Sequence, residues 1–211
     1  MLRMYFSSAD FIGRPDRASL PQQALMELLV FGWVNEAAFR DDAGMFHDII
    51  DWTGVECDPD GIATRIDWGS DINLLVQNHK EDTPSGSIDL RWVPSSVTAL
   101  DLTGLNLTGS IDTFSLPIEM GTLRVSKNAL YGAFAIAGHP PSTVRVNVSD
   151  NALYGTLSFP DLPRGVELLE FAHNAFTGSI DLSSLPDSLR SLIIGKCLFW
   201  QSRSAAPRTG S

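Results

Sequence analysis

Cysteine is scarce in this chain of 211 residues, since Cys57 and Cys197 are the only two. A scaffold held by several disulfides and a cysteine-rich zinc module are therefore excluded. Long apolar runs are also lacking: the longest, 24–34, is interrupted by Glu27 and falls short of the ~18 residues that a membrane span needs. No apolar core of a secretory signal is visible near the N-terminus. The compartment stays open, cytoplasmic if the N-terminus is native and extracellular if the chain is a fragment.

Basic residues are outnumbered, with 15 Lys and Arg against 25 Asp and Glu, for a net charge of −10. This balance argues against a nucleic-acid partner, because phosphate backbones attract basic surfaces. The acidity is uneven, since residues 1–85 carry a net charge of −9 and residues 86–211 only −1. With 44% hydrophobic residues the chain can still build a packed core. Two parts of different character therefore meet near Gly86.

The second part repeats every 23 residues. The same spacing separates five glycines and five prolines that follow them: Gly86, Gly109, Gly132, Gly155 and Gly178, then Pro94, Pro117, Pro140, Pro163 and Pro186. An apolar pair precedes each later glycine, and asparagine stands between pair and glycine in three units (Asn128, Asn151 and Asn174). Each unit predicts a short strand, a turn bonded by the asparagine side chain, a glycine corner, a second extended stretch and a proline turn. Such a coil is stable only when neighbours stack on it.

This pattern resembles the leucine-rich repeat family, in its plant-type subclass with an L-x-G-x-I stretch. Residues 98–200 carry the resemblance, in the segments Leu100–Leu102, Asn106–Ile111 and Asn151–Leu157. The period of 23 is similar to that of repeat proteins of protists. The resemblance implies an α/β repeat, a right-handed solenoid of short parallel strands with an extended convex side. Leu105 and Cys197 stand where the family has asparagine, and cysteine is a familiar substitute there.

The first part is similar to the N-terminal cap of the same family, through the string Asp51–Asp58 that contains Trp52 and Cys57. Upstream, Ser19 predicts a helix N-cap, and an apolar stripe on that helix is expected to pack on the first coil: Leu25, Leu28, Leu29 and Trp33. The cap's usual partner cysteine is missing. Five strand steps place Cys57 and Cys197 roughly 24 Å apart, so we expect two free thiols.

These patterns predict five regions: a flexible N-terminus (1–18), a cap of helix and hairpin ending in the first strand at Ile66 and Trp68 (19–68), an inserted loop (69–85), leucine-rich repeats (86–200) and a disordered tail (201–211). No terminal cap is recognisable at the far end. Phe199 and Trp200 folding over the open face, a longer solenoid, or a second chain meeting this end all remain open, so self-association there is one expectation.

Strand alternation predicts a ligand-binding concave face, because residues between the inward pairs point outward and stack into rows. The candidate binding residues on and beside it are Asp101, Arg124, Arg145, Asn147, Glu170 and His173. Arg124 and Arg145 lie on adjacent predicted strands, where they can clamp a carboxylate or phosphate. They can equally pair with Asp101 and Glu170, and both interpretations stay open here.

Catalytic and metal chemistry find little support in the sequence. The four histidines are scattered, and no base and nucleophile are placed together by the pattern. The stretch 58–61 lacks the further oxygen ligands of a calcium loop, so it predicts a hairpin turn. Asn106 and Asn147 begin glycosylation sequons, which matter only if the chain is secreted. We expect no catalytic residues, no metal site and no cofactor.

The predicted function is therefore a non-catalytic protein-binding module, a scaffold or recognition domain, with a protein or peptide as its partner and no membrane span in this chain. Two alternatives stay open. One is a structural surface-coat protein, in which the solenoid is a rigid spacer. The other is the ectodomain fragment of a leucine-rich-repeat receptor, whose span and kinase domain lie outside these residues.

Overall fold

A computed structural model describes residues 17–69 and 85–199. One α-helix, α1 (Gln22–Val30), precedes the strands. The strands are, in chain order, β1 Val55–Cys57, β2 Ala63–Asp67, β3 Ala99–Asp101, β4 Thr108–Ser110, β5 Thr122–Arg124, β6 Ala129–Ala133, β7 Arg145–Asn147, β8 Ala152–Thr156, β9 Leu168–Glu170, β10 Ala175–Gly178, β11 Ser191–Ile193 and β12 Leu198–Phe199.

Six strands, one from each turn of the chain, form a parallel sheet in the order β2-β3-β5-β7-β9-β11, and β1 pairs antiparallel with β2 at one edge. We call these seven strands the long sheet. The register advances by the repeat length, so Leu100 pairs with Leu123 and Leu123 with Val146. Ile66 pairs with Leu100, which confirms the predicted first strand of the solenoid.

The remaining strands form a second parallel sheet, which we call the short sheet, in the order β4-β6-β8-β10-β12. Strands β6, β8 and β10 each have one buried leucine or phenylalanine: Leu130, Leu153 and Phe176. Leu107, just before β4, is buried as well. These side chains and the inward residues of the long sheet belong to one core. Between the second sheet and the next strand of the long sheet, 3-10 turns recur at 23-residue spacing: Leu90–Trp92, Thr113–Ser115, Ile136–Gly138 and Phe159–Asp161.

Asparagine side chains bond backbone groups at the turn, as the sequence predicted, and they also join successive coils. The Nδ2 atom of Asn151 donates to the carbonyls of Val148 (3.1 Å) and of Val125 in the preceding coil (3.0 Å), and its Oδ1 accepts from Leu130 N (3.0 Å). Asn128 and Asn174 make the same bonds. In the last slot the thiol of Cys197 donates to Phe171 O, 3.3 Å away.

Glycine corners place the short sheet close to its neighbours. Gly86 has φ +118°, and a Cβ atom there would lie 2.1 Å from Gly32 O. Gly109 has φ +132°, and its Cβ would lie 2.7 Å from Ile88 O. Only glycine combines this left-handed backbone with so close an approach. These two glycines therefore mark close backbone contacts, with the segment after α1 at Gly86 and with the preceding coil at Gly109.

The N-terminal region packs around aromatic rings. Trp68 lies 5.4 Å from Trp33 and 5.2 Å from Phe39 between ring centroids, and Phe39 stacks on Trp52 at 4.3 Å. In helix α1 the buried residues are Leu25, Met26, Leu29 and Val30, whereas Leu28 is only half-buried. The predicted apolar stripe is therefore rotated by part of a turn.

The predicted N-cap at Ser19 is wrong. Ser19 ends a 3-10 turn, and Pro21 occupies the N-cap position of α1 with no side-chain cap. Proline fits there because its φ is fixed and it lacks a backbone donor. The side chain of Gln22 serves the neighbouring hairpin instead, since it accepts from Ala63 N (2.7 Å) and donates to Gly61 O (3.2 Å).

The predicted hairpin turn is confirmed. Asp58 Oδ1 accepts from the backbone N–H groups of Asp60 and Ile62, each 2.9 Å away, and β1 and β2 flank the turn. Both cysteines are free in the described part of the chain. Burial raises the pKa of the Cys57 thiol, with the carboxylates of Asp58 and Asp48 adding to the shift, and burial also raises that of Cys197. Raised pKa values disfavour the nucleophilic thiolate.

The predicted region boundaries stay predictions. Residues 1–16, 70–84 and 200–211 lie outside the described residues, and with them most of the N-terminal segment, most of the inserted loop, Trp200 and the tail. Arg17 is described, and its guanidinium donates to the carbonyls of Ser115 (2.6 Å) and Val93. No helix within 17–69 and 85–199 has the length and apolar character needed to cross a bilayer.

Candidate binding surface on the long sheet

The outward face of the long sheet carries two rows of side chains, because inward and outward residues alternate along each strand. The register places these residues side by side in a first row: Asp67, Asp101, Arg124, Asn147, Glu170 and Ile193. The second row, two residues earlier in each strand, is Arg65, Ala99, Thr122, Arg145, Leu168 and Ser191. Five of the six candidate residues lie in these rows.

Arg124 forms an ion pair with Asp101 on the neighbouring strand, with 3.5 Å between Nη1 and Oδ2. The carboxylate of Asp101 also accepts from Thr103 N at 3.0 Å and is mostly buried, whereas the arginine is about half-exposed. The acid is therefore fixed by its surroundings. The guanidinium keeps donors directed to solvent, because one contact uses few of its five N–H groups.

Arg145 does not pair with Glu170, which corrects one of the two expected arrangements. Its Nη2 lies 3.7 Å from Glu167 Oε2, and Arg190 contacts the other oxygen of Glu167 at 3.5 Å. Glu170 instead accepts from Asn147 Nδ2 at 2.8 Å. The reason is register: Asn147 is opposite Glu170, whereas Arg145 is opposite Leu168.

A hollow of about 80 Å³ opens between three of these arginines. Its floor includes the small residues Ala99 and Thr122, and Arg65, Arg124 and Arg145 stand around it. All three guanidinium groups are about half-exposed, and Arg65 is paired with Asp67 at 3.3 Å. We call this the arginine hollow. Asp101 also lines it, and the three guanidinium groups direct hydrogen-bond donors at a space large enough for a small acidic group.

A row of polar residues borders the sheet where its strands end. Lys127, Asp150, His173 and Lys196 all have φ 56°, in the left-handed region. That conformation costs roughly 1–2 kcal/mol for a residue with a Cβ. His173 Nδ1 lies 2.5 Å from Asp150 Oδ1, so the candidate His173 sits on this border and not in the two rows.

Sequence reasoning placed His173 at the strand exit but missed the left-handed backbone of this border row. A signal was present: Gly104, which has φ 74°, occupies the same slot 23 residues before Lys127. A glycine in a position that later units fill with Lys, Asp and His indicates a positive φ throughout the row.

A larger, open hollow of about 390 Å³ lies beside helix α1, where Gln23 and His47 are among the lining residues. The side-chain amide of Gln23 already has partners in the chain, since it donates to Glu27 and to His47 O and accepts from Ile49 N. No group of three potential metal-ligating side chains occurs within the described ranges. Neither observation tests catalysis, and the absence of an enzymatic activity stays a prediction.

Comparison with known proteins gives no match to a family model and none to a curated protein. Solved structures do match. The leucine-rich-repeat ectodomain of the Arabidopsis receptor kinase HAESA, in complex with an extended IDA peptide hormone, superposes with TM-score 0.62 at 20% identity over 85% of this chain. This chain has the leucine-rich-repeat fold. The predicted solenoid and its N-terminal helix are thereby confirmed.

Two further neighbours have similar scores. The GASSHO1/SCHENGEN3 ectodomain from Arabidopsis thaliana, in complex with CASPARIAN STRIP INTEGRITY FACTOR 2, has TM-score 0.61 at 20% identity, covering 85% of this chain and 21% of that one. The BIR3–SERK2 complex from the same plant has TM-score 0.59 at 20% identity, covering 84% and 94%. This chain spans only 29% of the HAESA ectodomain. At such identities the likeness concerns the fold.

Proposed function

We propose that this leucine-rich-repeat chain is a protein-binding module, without catalytic activity, that holds a protein or peptide against the outward face of its long sheet. The neighbours support the general role, since HAESA and GASSHO1/SCHENGEN3 were solved with a peptide hormone and with CASPARIAN STRIP INTEGRITY FACTOR 2, and SERK2 with BIR3. We assign the binding role to this face of the long sheet because of the side chains that it carries. It offers charged, half-exposed side chains on rigid strands, which fix a partner in one orientation.

The arginine hollow is the observation that carries this proposal. Arg65, Arg124 and Arg145 present donors around a floor of small side chains. A carboxylate from a partner fits this hollow best, because guanidinium groups bind carboxylates in a planar, two-pronged geometry. The arginines already have acidic neighbours within the chain, so an entering carboxylate adds to or replaces an existing contact.

The other candidate residues extend the contact along the sheet. Asn147 and Glu170 are joined by a 2.8 Å hydrogen bond one strand beyond Arg124, and His173 lies past the end of the next strand. Asp101 orients Arg124 from the opposite side. In this arrangement the partner crosses the strands and meets basic groups first, then a polar amide and an acid.

A receptor ectodomain fragment is a second candidate, favoured by one observation. The neighbours include ectodomains of receptor kinases, and this chain covers 29% of one of them. A longer reading frame that encodes a membrane span and a kinase domain would establish it. The binding role of the long sheet is the same in both cases.

Charge reversal of two arginines tests the proposed face. Capture experiments with the tagged chain should recover a defined partner, and the double variant R124E/R145E should lose that partner. Its melting temperature should change by no more than about 8 °C, because each of the two half-exposed arginines contributes about 0–1 kcal/mol through its ion pair and ~1 kcal/mol shifts the midpoint of a chain of this length by about 2–4 °C. A large loss of stability would assign these arginines to the fold instead.

A matched control separates the face from simple charge. Arg91 and Arg164 lie in turns away from the long sheet, so R91E/R164E makes the same change in net charge elsewhere. This control should retain the partner. Equal loss in both double variants, or retention in both, would refute the proposed face. Activity-based probes for serine and thiol nucleophiles provide a separate check, since one hyper-reactive residue would contradict the non-catalytic role.

A further inference from the structure

The second row of the long sheet changes character from one end to the other. Toward β2 its residues form the arginine hollow, whose floor includes Ala99 and Thr122. On strand β9 the row carries Leu168, a half-buried leucine that lies opposite Arg145 on one side and Ser191 on the other. Leu168 is the largest apolar side chain of the row. A basic hollow and an apolar side chain therefore lie on one line across the strands.

Acidic side chains flank the apolar end of this line. Glu167 precedes strand β9 and Glu170 ends it. The carboxylate of Glu167 lies 3.7 Å from Arg145, and that of Glu170 accepts a hydrogen bond from Asn147 at 2.8 Å. Because like charges repel, an acidic group of a partner is disfavoured beside Leu168 and favoured in the arginine hollow. Charge therefore decides which part of a ligand lies at which end of the line.

The strand spacing sets the distance between the two ends. The floor residues of the hollow belong to β3 and β5, and Leu168 belongs to β9. In the sheet order β3-β5-β7-β9 the centre of the hollow and Leu168 are two and a half strand steps apart, or ~12 Å at ~4.8 Å a step. An extended chain rises ~3.3 Å per residue and turns every second side chain to the same face. Four residues therefore span ~13 Å and return to the face that touches the sheet.

We propose that the ligand is an extended segment of a partner protein in which an acidic and an apolar side chain are four residues apart. The acidic side chain enters the arginine hollow, and the apolar one covers Leu168. This inference rests on the proposed binding role of the long sheet and adds the sequence pattern that the sheet selects. The pattern holds for either direction of the bound segment, since the spacing is the same in both. In a helical ligand the same distance would take about eight residues, at ~1.5 Å each.

Peptide selection on the full 211-residue chain tests this pattern without the natural partner. A random display library, selected on the immobilised chain, should become enriched in sequences with aspartate or glutamate four residues from a leucine, isoleucine, methionine or phenylalanine. The tightest selected peptide is then resynthesised with its apolar residue two or six residues from the acid. Both changes keep the two side chains on one face but should weaken binding about tenfold in fluorescence anisotropy, as the loss of one leucine contact implies.

The variant Leu168→Thr tests the apolar contact in the protein. Threonine fits this position, because Thr122 stands in the same row two strands away. The variant should bind the selected peptide about tenfold more weakly, and a library selected on it should keep the acid and lose the apolar preference. The matched control is Ile118→Thr, which changes a side chain that is 66% exposed in a turn outside the long sheet. It should bind like the wild type, and circular dichroism checks that both variants are folded.

The outcomes separate this inference from the proposed function. Enrichment of acids that R124E/R145E abolishes, without an apolar residue at the spacing of four, would overturn the pattern and leave the binding face intact. A preferred spacing of seven or eight would overturn it as well, since that spacing indicates a helix. Equal peptide binding by folded Leu168→Thr and wild type would remove Leu168 from the site. A selection that enriches no acidic residue would count against the arginine hollow itself, and so against both proposals.

Discussion

The N-terminal cap and the repeats solve the same packing problem by different means. In the cap each contact occurs once: Trp68 packs against Trp33 and Phe39, and Gln22 bridges the helix to the hairpin. In the repeats one set of contacts recurs every 23 residues, with Asn128 and Asn151 making equivalent bonds. A one-off contact has no substitute, whereas a repeated one is supported by its neighbours.

The largest loss of stability is expected from a substitution in the cap, where each contact occurs once. Trp68 is fully buried, and its Nε1 donates to Thr53 O at 3.1 Å. Trp68→Ala should lower the free energy of unfolding by about 3–5 kcal/mol, because a large buried ring leaves a cavity. Urea titration measures this loss, and hydrogen exchange should show residues 22–69 losing protection before the repeats.

The control for this prediction is Phe31→Ala, which removes an exposed ring from the same region and should change stability by about 0.5 kcal/mol or less. If Trp68→Ala costs no more than this control, the aromatic cluster does not hold the cap. Equal loss of protection in both regions would show that cap and repeats unfold as one unit.

A pH effect is the next largest, and it arises in the repeats. His139 packs 5.3 Å from the Phe134 ring, and its buried Nε2 has no partner within the described residues. Burial lowers the pKa of His139 from 6.5 to about 4. Between those values the unfolded chain binds a proton that the folded chain does not. Stability should therefore fall as the pH drops from 6.5 to 4, by about 3 kcal/mol.

The variant His139→Gln isolates this contribution, because glutamine does not titrate. Denaturant unfolding of both proteins between pH 7 and 4 should give curves that diverge by that amount, with the wild type losing more stability. Parallel curves would show that His139 is protonated equally in both states.

The smallest effect concerns the asparagine slots. Asn151→Ala removes bonds to three carbonyls and one N–H group, and leaving these partly buried groups unpaired should cost about 1–3 kcal/mol. Asn151→Cys should cost less, since Cys197 still donates to a carbonyl from the same slot. Thermal unfolding ranks the two variants. A cysteine variant as unstable as alanine would mean that the amide's acceptor, which cysteine lacks, matters most.

The repeats could be predicted in detail from the sequence because their pattern fixes register. A strand that slips by one residue would turn every leucine to the wrong face. Asp101, Arg124 and Asn147 therefore had to lie in one row, as they do. The partner of Arg145 was not predicted: Glu170 is opposite Asn147 in the register, and the acid that Arg145 contacts, Glu167, precedes strand β9.

The cap was predicted less well because its contacts do not repeat. Serine is a common N-cap residue, yet Pro21 occupies the N-cap position of α1 instead of Ser19. The side chain of Gln22 forms hydrogen bonds with Gly61 and Ala63 in the hairpin, which fixes the first turn of the helix there. Those partners lie about forty positions further along the chain. No local pattern carries information about them.

The sequence by itself determined the coil, its period and the side of each strand that faces solvent, because constant spacing forces equivalent residues into alignment. Tertiary structure alone decided where the helix begins, which acid each arginine contacts, and that Ala99 and Thr122 leave a hollow among three guanidinium groups. The physical reason is range. Periodicity is a local property that stacking multiplies, whereas pairing between side chains depends on which residues folding brings within a few ångströms.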